Sequence, residues 1–166
     1  AETNPLVDKS TATGDTYAAV TTYRGAIGTG DPWEVKGTAQ TGTTDPSVLT
    51  GITTLSAESL VVAAMAGEND NNASIITTGT DPAAYTEHYA ESGIGADGVI
   101  TFSEAARTAA GATGNVSVDW NTAVPIGWGG ILLALKPGTK DSLGLWGWLI
   151  SCWDCHSNGK TTASPQ

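Results

Sequence analysis

Near the middle of the chain, Leu60-Val61-Val62-Ala63-Ala64-Met65-Ala66 runs for seven residues without a polar break. A strand with one wet face would alternate apolar and polar side chains. A continuous apolar run of this length instead predicts a central, fully buried strand. Met65, the only methionine, reads as a core residue within it rather than as a metal ligand.

The rest of the chain supplies partners for such a strand. Tyr17 to Tyr23 brings β-branched and aromatic residues into near alternation, Asn115 to Trp120 alternates cleanly, and Trp128 to Leu135 ends in an apolar strand closed by Lys136-Pro137-Gly138. Ser74 to Thr78, Tyr85 to Ala90 and Val99 to Glu104 are further short strands, the last two separated by Gly93, Gly95 and Gly98. Gly25 to Pro32 is a loop, Thr38 to Pro46 an exposed strand or loop, and Glu68 to Asn72 a tight polar turn. Ala105 to Gly111, rich in Ala and Thr, admits a short helix. Short strands divided by Gly-rich turns predict an all-β fold, a jelly-roll-like β-sandwich. The expected division is an extended arm over 1–16, the sandwich over 17–137 and a C-terminal tail over 138–166, with the boundary at Pro137-Gly138-Thr139-Lys140.

The chain of 166 residues is long enough for one domain with a real core. Its 17 acidic and 7 basic residues give a net charge of −10, which would repel nucleic acid and anionic membrane alike. The longest apolar stretch, Leu143 to Trp153, is about half the length of a membrane span and is interrupted by Gly144 and Gly147. Thr, Ala and Gly dominate, as suits a β-rich extracellular, cell-surface or virion-surface protein. Ala1-Glu2-Thr3-Asn4 fits a mature start after cleavage, so export is expected. Two cysteines three positions apart cannot staple distant parts of the fold, so the core must stabilise it.

The order Val20-Thr21-Thr22-Tyr23-Arg24-Gly25-Ala26, Ser59 to Ala64, Ala109 to Asn115 and Trp128 to Pro137 resembles the C-terminal part of a jelly-roll module. Such modules occur in tailed-phage virion proteins and large bacterial surface proteins. The resemblance covers residues 17–137, contains no catalytic motif, and implies a structural or adhesive role. In those modules several strands precede the Tyr-Arg-Gly strand, whereas here about sixteen residues do. A sandwich lacking strands exposes an edge or an apolar face. Donation of a strand from a neighbour's terminal arm would cover it and make the protein a homo-oligomer or polymer.

Both cysteines and one of the two histidines fall in Cys152-Trp153-Asp154-Cys155-His156. C-x-x-C-H is the attachment sequence of c-type haem: the thiols form thioethers to the porphyrin and the adjacent imidazole becomes an axial ligand. Residues 152–160 are similar to the haem-attachment stretches of bacterial cytochromes c, although nothing downstream resembles a cytochrome domain and no Met-bearing loop follows. The resemblance implies one haem per chain, anchored by Cys152 and Cys155 with His156 as proximal ligand. His88, the other histidine, is then the candidate distal ligand. Trp148 and Trp153, with Trp146, would wall the porphyrin and exclude water. A zinc site completed by His88 or an acid is an alternative; a thioredoxin-like site would need an α/β setting.

Glu68, Asp70 and Asn72 lack the EF-hand pattern and read as a solvated turn. No Ser-His-Asp arrangement can be drawn from two histidines. The expectation is therefore a non-enzymatic, exported haem c protein serving electron transfer, with a possible extracellular filament. The alternative is a structural or adhesive module without haem. Carbohydrate binding rests on fold analogy alone.

Overall fold

The computed structural model describes residues 19–23, 30–68, 74–92, 98–121, 126–138 and 150–152. Among them every regular element is a β-strand and every pairing is antiparallel. No helix of the described residues is long and apolar enough to cross a membrane.

The apolar run forms β6 (Leu60–Gly67), with β12 (Trp128–Leu135) on one side and β9 (Val99–Ala106) on the other. β8 (Thr86–Ser92) closes the β9 side of this large sheet. On the β12 side, β2 (Trp33–Lys36) and β3 (Gln40–Gly42) pair successively along one edge. Between those two strands the Gly37 amide donates to the Leu132 carbonyl at 2.8 Å. A Cβ at Gly37 would come within 2.9 Å of that same oxygen, so only glycine keeps the chain this close.

A smaller sheet, in the order β4 (Ser47–Leu49), β11 (Val116–Asp119), β7 (Ser74–Thr77), packs on one face of the large one. Alternate residues meet between them: Val61, Ala63 and Met65 of β6 and Leu132 and Ala134 of β12 join Leu49, Val116 and Val118 in one buried cluster. Trp120, fully buried just after β11, donates its indole N–H to Ser47 Oγ at 3.1 Å, and Ser47 donates to the Val118 carbonyl at 3.2 Å. The largest core residue thus carries no orphaned donor.

The opposite face of the large sheet is also apolar, which explains why β6 does not alternate. Leu60, Val62 and Leu135 form a second buried cluster against which Tyr23, Phe102 and Leu133 pack. Tyr23 belongs to β1 (Thr21–Tyr23), which pairs with β13 (Ile150–Cys152) in the register Thr21↔Cys152, Thr22↔Ser151, Tyr23↔Ile150.

These ladders are nested about the segment between β7 and β8. β6 pairs with β9, β5 (Thr53–Thr54) with β10 (Gly111–Ala112), β4 with β11, β2 and β3 with β12, and β1 with β13 outermost. Among the described residues the strands nest as a long hairpin and fall into four sheets, of which the two larger pack face to face.

The described residues contain no helix at Ala105 to Gly111. β9 runs through Ala106, and the chain then bends into β10. Arg107 dictates the bend. Its buried guanidinium donates to the Ala109 carbonyl from Nε at 3.0 Å and from Nη2 at 2.8 Å, and to the Ala112 carbonyl at 3.0 Å. Asp81 accepts the Thr108 and Ala109 amides, each at 3.0 Å, beside Arg107. Desolvation pushes the Asp81 carboxyl upward, but the bonds from Thr108 and Ala109 and the Arg107 charge together hold it below its ordinary range.

Candidate functional site

The outer face of the large sheet carries the features that the core does not explain. Glu104 of β9 lies opposite Val62 of β6, so it shares the face of Leu60, Val62 and Phe102, and it is only 5 % exposed. A carboxylate there needs a partner. His88 supplies one from β8: its Nε2 stands 2.8 Å from Glu104 Oε1. The β8–β9 register shifts between Glu87 and Tyr89, at His88 itself, and such a bulge re-aims the side chain it contains. Glu104 Oε2 is buried with no hydrogen-bond partner among the described residues.

Farther along the same face lies an open apolar groove of about 300 Å³. Ala64 and Ala66 of β6, Ile100 and Phe102 of β9, Gly129 of β12 and Ala19, just ahead of β1, line it. The concavity follows from side-chain size, since Ala64, Ala66 and Gly129 leave space where Leu60, Val62 and Leu133 fill it. β1 therefore spans both regions: Tyr23 rests on the filled cluster, and Ala19 borders the groove.

The sequence candidates meet this face unevenly. Cys152 is the last residue of β13, in the ladder opposite Thr21, two residues from Ala19. Trp148, Trp153, Cys155 and His156 lie outside the described residues, as does Trp146. His88 turns Nε2 toward Glu104, so an iron bond at that nitrogen would require this contact to open. Met65 is buried in the core cluster, as its setting predicts. No group of three or more metal-ligating side chains occurs among the described residues.

Glu104 was not among the sequence candidates. Its signal was the alternation Val99 to Glu104, which puts this acid on the otherwise apolar Ile100–Phe102 face of the strand. On the core side of the sheet, burial pushes the Tyr85 phenol far above its ordinary range against a smaller opposite pull from Arg107, so it stays neutral. An apolar groove beside a buried His–Glu pair is suited to holding a flat or extended apolar group, with that polar pair at its margin.

No family model, curated protein or solved structure matches the chain.

Proposed function

We propose that this chain is a non-catalytic structural or adhesive module of an exported, cell-surface or virion-surface assembly, built as a jelly-roll-like sandwich that associates with copies of itself. The observation that carries this reading is the nesting of the ladders from β6·β9 out to β1·β13, the wrap of a rolled hairpin whose two larger sheets pack face to face. Most of the described chain is spent on that wrap, and the acidic, Thr-rich composition suits an outer surface. The test is a membrane-impermeant amine label applied to intact cells or particles of the source. Labelling of this chain without lysis is expected; labelling only after lysis overturns the reading.

A second reading, a c-type haem protein for electron transfer, is favoured by the position of Cys152. The first cysteine of the motif ends β13, beside a strand whose approach borders the apolar groove. Cys152 and Cys155 would anchor the group and His156 would bind its iron, with Trp148 and Trp153 beside it. A bound haem would supply one-electron redox chemistry. Ile100, Phe102, Ala64 and Ala66 would keep water from its buried edge. Glu104 holds His88, so this reading takes its sixth ligand from His88 only if that pair opens. Exported expression with haem-attachment machinery, followed by a denaturing gel stained for haem peroxidase, decides the matter. A stained band near 17 kDa supports the reading; a colourless protein with two titratable thiols overturns it.

A further inference from the structure

We infer that β7 is the edge through which a second copy of this chain joins the smaller sheet, β7 against β7 and antiparallel about a two-fold axis. The inference rests on the self-associating module proposed above and names its surface.

In the rolled hairpin β7 and β8 flank the central turn and would form the innermost pair. β8 instead pairs with β9 in the large sheet, so among the described residues the smaller sheet ends at β7. The β7–β11 ladder is regular from Ser74↔Asp119 to Thr77↔Val116, and Ile75 packs on the core cluster. Among the described residues the outer edge of β7 is therefore a straight backbone template fixed to the body of the protein.

The other outer edges of the two larger sheets are blunted in the ways that sheets use to avoid pairing. β8 has its bulge at His88 and carries Glu87 and Glu91. The β2–β3 edge breaks at Gly37 and carries the exposed Lys36. β4 is three residues long and follows Pro46, which has no N–H, and the Thr50 amide beyond it is taken by Gln40 Oε1 at 3.3 Å. β7, Ser-Ile-Ile-Thr, has no charge, proline, glycine or bulge.

A second β7 fits this edge. Antiparallel pairing about a two-fold sets the Ser74 end of one strand beside the Thr77 end of the other, so no like charges meet within the ladder. Two three-stranded sheets would become one of six strands. The −10 net charge of each copy opposes association at long range, so added salt should strengthen the dimer by screening.

Sedimentation equilibrium of the full chain up to about 100 µM, where a micromolar dimer is populated, should show twice the 16.8 kDa mass. Hydrogen exchange followed by mass spectrometry should show protection of 74–77 rising with concentration. Ser74 is exposed, and Ser74→Lys, which places a charge on the edge, should weaken the dimer about tenfold with native circular dichroism. A monomer at that concentration overturns both this inference and self-association. An oligomer in which 74–77 gains no protection overturns this edge and leaves self-association standing.

Discussion

His88 Nε2 and Glu104 Oε1 stand 2.8 Å apart across the β8–β9 ladder on the apolar outer face, with 18 % and 6 % of their side chains exposed. Removal of His88 leaves the Glu104 carboxyl group among Val62 and Phe102 without its polar neighbour. His88→Ala should cost about 1–3 kcal/mol, the range for leaving a buried polar group without its partner. Replacing both partners with apolar residues of similar volume should cost less than His88→Ala alone. Urea unfolding of the two single variants and the double variant reads the coupling; additive losses would contradict it.

Arg107 closes the bend between β9 and β10 through three donors to two carbonyls. Arg107→Lys cannot reproduce that fork. It should lose about 2 kcal/mol and raise amide exchange selectively over 107–113. Wild-type exchange in that segment would contradict the assignment.

Ser47 links β4 to the end of β11 by accepting from the Trp120 indole and donating to Val118. Ser47→Ala orphans the indole N–H in a fully buried site and should cost about 1–2 kcal/mol. Ser47→Thr, which keeps the hydroxyl, should recover part of the loss. A shift in Trp fluorescence without a stability change would contradict this account.

Glu34 sets an acid limit. Burial raises its carboxyl, but bonds from Ser59, Ser56 and Leu55 outweigh that and hold it below its ordinary 4.5. A depressed folded value means the stabilisation is complete above the unfolded value and lost as pH falls through the folded one. The denaturation midpoints of wild type and Glu34→Gln should therefore differ by a constant amount above roughly pH 5.5 and converge below 4.5. A gap that widens in acid would reverse the sign.

Much of the fold was legible because strand periodicity survives in single sequences. β6, β11 and β12 follow directly from their apolar patterns, and β12 begins and ends at the expected residues. β2, β4 and β5 left little signal. They are two to four residues long, and their edge positions come from ladders with distant partners rather than from local pattern. The helix at Ala105 to Gly111 failed because local propensity there yields to the carbonyl bonds of Arg107. At the site, His88 and Cys152 were visible as rare residue types. Glu104 was not, because its meaning depends on β8 being beside β9 with a bulge at His88.

The outermost pair, Thr21↔Cys152, gives the molecule a mechanical character. Tension entering through the chain before β1 and leaving through the chain after β13 would pull on two residues that face each other. Such a load peels an antiparallel ladder rung by rung instead of shearing all its hydrogen bonds at once. β1 and β13 would part first, at low force, lifting Tyr23 from Leu60 and Val62, while the β6–β9 centre would carry load last. Under tension the protein would pay out length gradually and re-zip on release.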